Sequence, residues 1–174
     1  MTKLIPSLLF CLCVAVGRAE EKLINPLLLS LKEAVFTHLL ESHPPKDLFT
    51  VAMEYDLKGK VFESPSKEFV TKMLAIEGVK ADLFVPRHQL VIPDFDKMIR
   101  MPNGTSRFQG VLKRGTTRSV DVYEIDSVEW RSDDEAVVKW SVGSGPLSGG
   151  RGSSLYYHTK DGWKFAEDLE HWVS

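Results

Sequence analysis

Cysteine is nearly absent from this chain. The 174 residues contain two, Cys11 and Cys13, and both lie inside an N-terminal apolar run. Beyond that run no thiol remains, which excludes a disulfide framework, a thiol nucleophile and thiolate metal ligands. Stability must come from core burial, and a chain of this size buries roughly two thirds of its unfolded surface, enough for one domain without staples. Long hydrophobic runs are also scarce. Leu4–Val16 offers about 13 residues where a membrane span needs about 20. Neither sign of charge dominates: 22 Lys and Arg stand against 24 Asp and Glu, which argues against a nucleic-acid surface. No internal repeat and no low-complexity linker divides the chain.

The short motifs that announce a reaction are missing as well. There is no Gly-x-Ser-x-Gly elbow and no His-Glu-x-x-His pair. Glu167 and His171 stand four apart and could share a helical face, but two ligands make no metal site. No metal and no cofactor is expected. The glycine-rich stretch Gly143–Gly152 lacks the lysine and the following helix that a phosphate cradle needs. It reads as a wide hairpin loop or a glycine-relieved bend, with Arg151 as a candidate for binding an anion at its rim.

What is present begins with an export signature. Lys3 supplies a small positive start, Leu4–Val16 the apolar run, and Gly17-Arg18-Ala19 the small residues before a cut at Glu20. This predicts a signal peptide over residues 1–19 and a single domain over residues 20–174, secreted or periplasmic, with no membrane attachment after cleavage. Loss of Lys3 and Arg18 leaves 20 basic and 24 acidic residues, a net charge of −4. Asn103-Gly104-Thr105 is a glycosylation sequon, of consequence only in a eukaryotic host.

Within the domain the hydrophobic period changes from about 3.6 to about 2. Asn25 and Pro26 start a helix whose apolar residues are Leu28, Leu31, Val35 and Leu39, and His43-Pro44-Pro45 ends it. Leu48, Val51, Ala52 and Tyr55 predict a second short helix over residues 46–55. Ser64-Pro65 opens a third with Phe69, Val70, Met73 and Leu74 buried. From Arg107 the pattern is β. Alternation slips between Val122 and Ile125, which predicts a bulge, and Asp161-Gly162 marks a tight turn. In the last strands Leu155 and Tyr157 are read as one face and Tyr156 and His158 as the other. Helices followed by a meander predict an α+β fold with the helices on one face of an antiparallel sheet.

The residues of the last three strands, Asp126–Trp130, Glu135–Val142 and Gly152–Phe165, with the closing hairpin Lys160-Asp161-Gly162-Trp163-Lys164-Phe165, resemble the nuclear transport factor 2-like superfamily, which includes the SnoaL-like proteins. The resemblance implies a cystatin-like cone, with N-terminal helices packed on the concave face of a curved antiparallel sheet. The catalytic members place Asp, His, Tyr or Arg in that cone, and no subfamily's set occurs here.

The candidate residues follow from these placements. Asp121 and Asp126 flank the bulge, where an inward carboxylate would be a general base with a raised pKa. His88 lies in an irregular Pro-Arg-His-Gln segment that could project into a cavity. Trp130, Trp140, Tyr157 and Trp163 are candidates for lining an apolar site. The expected function is non-enzymatic binding of an apolar small ligand or a protein partner, including a homodimer. The alternatives are a SnoaL-like lyase, isomerase or hydratase, and a purely structural dimerisation module.

Overall fold

The structure, a computed structural model, describes residues 25–56, 61–92, 98–100, 106–108, 110–145 and 148–173. Residues 1–19, read from sequence as an export signal, and the sequon at Asn103 lie outside them. Helix α1 spans Pro26–Ser42, capped by Asn25, whose side chain accepts the Leu27 N–H. Proline at the first position fits because that amide has no helical partner. Leu31, Val35, Phe36, Leu39 and Leu40 form its buried stripe.

The segment predicted as a second helix is extended instead. It forms β1, Phe49–Ala52, and β2, Glu54–Asp56, and β2 pairs antiparallel with β3, Val61–Glu63. The reason is burial on two sides. Phe49 and Val51 belong to the main core, while Leu48 and Ala52 belong to a second, smaller one. A strand gives its alternate residues to opposite faces, which a one-striped helix cannot do. Helix α2 then runs from Lys67 to Leu74, with Ser66 accepting the Phe69 N–H at 3.0 Å and Phe69 and Met73 buried.

Short pieces follow: 3₁₀ turns at Ala81–Leu83 and Arg87–Gln89, then β4 (Leu90–Val91), β5 (Met98–Arg100), β6 (Ser106–Phe108) and β7 (Leu112–Lys113). The chain ends in four long strands, β8 (Asp121–Ser132), β9 (Glu135–Gly145), β10 (Ser148–Thr159) and β11 (Gly162–Val173). They make an antiparallel meander, and β1 adds to β8 in parallel, giving the order β1-β8-β9-β10-β11. The fold is α+β, but the sheet is mixed rather than purely antiparallel, and two α-helices stand among the described residues where three were expected. The short pairs β2-β3, β4-β7 and β5-β6 are separate small sheets.

The inner face of the long sheet carries Tyr123, Ala136, Val138, Trp140 and Tyr156, clustered with the α1 stripe, Phe69 and Met73. On the outer face, Val120 and Val122 pack with Leu48, Ala52, Val85, Leu90 and Val111, and Tyr55 and Phe62 join them. Glycine lets the inner face close over its largest ring. A Cβ on Gly152 would stand 2.5 Å from Trp140 Cζ2 and 2.8 Å from the Glu170 carbonyl oxygen, so the indole lies where any other residue would put a side chain. Gly152→Ala is expected to cost about 1–3 kcal/mol, the usual penalty of overpacking. Urea unfolding measures it, and an unchanged midpoint would mean that the indole does not sit there.

Candidate functional site

Strand alternation sorts the polar groups of the sheet onto its two faces. The outer face holds a cross-strand row in which Glu124 on β8 pairs with Ser141 on β9, and Ser141 with Arg151 on β10. Beside it the ladder is irregular between Ile125 and Ser127, leaving Asp126 without a partner in register. The bulge re-aims Asp126 toward the same serine. Ser141 Oγ lies 2.7 Å from Glu124 Oε1 and 3.0 Å from Asp126 Oδ1.

Burial dominates the electrostatics of this group. It pushes the Glu124 carboxyl up to about 7; the Ser141 hydrogen bond opposes, Asp126 adds, and Arg151 opposes again. Tyr55 reaches the cluster from β2. Its hydroxyl is buried and makes no hydrogen bond among the described residues. Its pKa is raised first by burial and then by Glu124, against the pull of Arg87. The Arg87 guanidinium carbon stands 5.1 Å from the centre of the Phe62 ring. A carboxyl that titrates near neutrality can both donate and accept a proton at ordinary pH, which is the requirement for acid–base work.

The inner face carries a second polar chain. Trp140 Nε1 donates to Ser154 Oγ at 2.9 Å, and Ser154 Oγ donates to Asp168 Oδ1 at 2.6 Å. Next to it His38 of α1 stacks on Phe165 with ring centres 3.8 Å apart and meets Tyr156 edge-on at 6.3 Å. Burial lowers the His38 pKa, while Asp168 and Glu41 act to raise it. The polar chain ties the edge strand β11 to the core, and the His38 stack on Phe165 ties α1 to β11.

The sequence candidates are scattered over these features. Asp126 and Arg151 join Glu124 on the outer face. Asp121 does not: it begins β8 three residues before Glu124 and so falls on the opposite face; its amide donates to the Leu48 carbonyl, and burial followed by Asp47 raises its carboxyl pKa. His88 is exposed on a 3₁₀ turn and belongs to neither polar chain. Trp140 and Trp163 are 3% and 6% exposed and form core. Trp130 shares their face but is 39% exposed, its ring centre 5.6 Å from that of Trp163. Tyr157 is 42% exposed on the outer face, while Tyr156 is the buried one. The inward residue of that strand is thus the neighbour of the one expected. Glu124 itself was missed, and no local signal marks it, because its burial comes from β2 and β9. Compared with protein-family models, curated proteins and solved structures, the chain matches none.

Removing the serine between Trp140 and Asp168 leaves a buried indole N–H without its acceptor. Ser154→Ala is expected to lower stability by about 1–3 kcal/mol and to shift the tryptophan emission. Denaturant unfolding followed by fluorescence reads both, and a loss under about 0.5 kcal/mol would remove this link from the account.

Proposed function

We propose that the chain is an exported, non-enzymatic binding domain that takes a protein partner, in the first place a second copy of itself, on the outer face of β8–β11. In this reading the sheet bends round α1 as in the nuclear transport factor 2-like cone. Ladder irregularities between Ser153 and Ser154, between Leu155 and Tyr156 and near Ser148 support the bend. The secreted destination rests on the apolar run and the Gly17-Arg18-Ala19 site.

One observation carries the reading. The outer face sets the exposed Tyr157, with Val137 and Leu155 buried beneath its neighbours, among exposed side chains of both signs: Glu129, Lys139, Arg151, Lys164 and Glu167. A surface with both signs can complement its own copy about a two-fold axis, since each residue meets a different one across it. The inner face offers less to a ligand, because Leu31, Val35, Phe36, Leu39 and Leu40 already cover Trp140 and Tyr156. Size decides the strength. Four strands about 4.8 Å apart and about ten residues long at 3.3 Å each present roughly 600 Å². A standard interface covers about 800 Å² per partner, so this face lies toward the small end of the range, where transient pairing is common.

Sedimentation across about 1–100 μM tests it, with a shift from monomer to dimer expected. Lys139→Glu combined with Tyr157→Ala should keep the chain monomeric throughout while leaving its thermal midpoint within about 2 °C. A wild-type monomer over the whole range rules out self-pairing.

A second reading, an acid–base enzyme of the SnoaL-like kind, is favoured by a different observation, the near-neutral carboxyl of Glu124 with Asp126 beside it. That group lies on the outer face rather than within the α1-covered side.

A further inference from the structure

The Glu124 cluster has a feature that neither reading uses. Ser141 Oγ is within hydrogen-bonding distance of two carboxyl oxygens at once, 2.7 Å from Glu124 and 3.0 Å from Asp126. A hydroxyl has one proton to donate. One of the two contacts is therefore a Ser141 donation, and the other is a full hydrogen bond only when a carboxyl brings a proton of its own. The two carboxyls differ in surroundings: Asp126 is exposed, while Glu124 is partly buried and close enough to the Tyr55 hydroxyl to raise its pKa. Water stabilises the ionised form of the exposed group and not that of the covered one. The proton belongs on Glu124, which donates to Ser141, which donates to Asp126.

We propose that Glu124, Ser141 and Asp126 hold one shared proton, and that its release exchanges the partner of Glu124 from Ser141 toward Tyr55 and Arg151. The groups facing Glu124 define both states. From its own strand comes Asp126, from β9 Ser141, from β10 Arg151 and from β2 Tyr55, with Arg87 acting on Tyr55 from the 3₁₀ turn behind it. With the proton in place, Glu124 is neutral and the chain of two hydrogen bonds closes across the bulge. With the proton gone, two carboxylates share one hydroxyl and repel. Asp126 can turn to water, and Glu124 is drawn to Arg151 and to the Tyr55 hydroxyl, which has no partner among the described residues.

The direction with pH follows from which state binds the proton more tightly. The folded chain holds it up to about pH 7, the unfolded chain only to about 4.5. The contribution to stability is complete below about pH 4.5 and is lost as pH rises through 7. Across that window the unfolding constant should rise on the order of 100-fold more in the wild type than in Glu124→Gln, which is neutral at every pH.

The experiment has two arms. Thermal or urea unfolding of wild type and Glu124→Gln at closely spaced pH values from 4 to 8.5 should show a slope in the wild type that the variant lacks. A carbon-detected carboxyl titration of the wild type should show Glu124 with a midpoint near neutrality, Asp126 reporting the same inflection, and Tyr55 ring signals moving with them. Ser141→Ala should uncouple the two carboxyls. If Glu124→Gln fails to fold, the wild-type titration decides alone. Equal slopes in the two proteins, a Glu124 midpoint in the ordinary carboxylate range, or an Asp126 signal blind to Glu124 would each overturn the shared proton.

Discussion

The apolar stripe of α1 lying against the inner face of the long meander is the constraint from which the rest follows. Leu31, Val35, Phe36, Leu39 and Leu40 meet Val138, Trp140 and Tyr156 in one cluster. At about 1.5–3 kcal/mol for each fully buried aliphatic or aromatic side chain, five such residues supply on the order of 10 kcal/mol, comparable to the whole net stability of a domain. The described residues contain no cysteine, so no disulfide adds to it there. The same packing commits Trp140 and Tyr156 to structure, and so moves the search for function to the other side of the sheet.

Two cores on opposite faces explain why β1 is a strand and why the outer face is polar only in part. Leu48 and Ala52 look outward to a small cluster with Val85, Leu90, Val111, Val120 and Val122, while Phe49 and Val51 look inward. Tyr55 packs on the small cluster, and Glu124, partly buried and coupled to Tyr55, stands beside it on the row with Ser141 and Arg151. A carboxyl in such a place is neither a solvated surface charge nor a core residue. Its environment alone raises its pKa, and the bulge beside it brings Asp126 within reach of the same serine.

Much of the architecture was legible in local pattern. Asn25-Pro26 capped the first helix as expected, Asp161-Gly162 closed the β10–β11 turn, and the bulge fell within a few residues of its expected place. What was not legible depended on long-range pairing. Leu48, Val51, Ala52 and Tyr55 satisfy a helical stripe as well as they satisfy a strand buried on both sides, and the choice lies with the parallel partner β8. The alternation in β10 held, with Leu155 and Tyr157 on one face and Tyr156 and His158 on the other, but the inward face is the second: Tyr156 took the inner position and Tyr157 the outer. Asp126 and Arg151 were singled out from sequence, but the group that joins them, Glu124, owes its character to strands far away in the chain.

The central claim is that α1, by its own side chains, fills the inner face of the sheet. Nuclear Overhauser contacts between the methyl groups of Leu31, Val35, Leu39 and Leu40 and the ring protons of Tyr123, Trp140 and Tyr156, recorded on the protein without added ligand, address it most directly. The account predicts a dense set of such contacts, insensitive to added apolar dye. Methyl groups that give no contact to these rings, together with dye resonances that do, would show a hollow where a filled core is described.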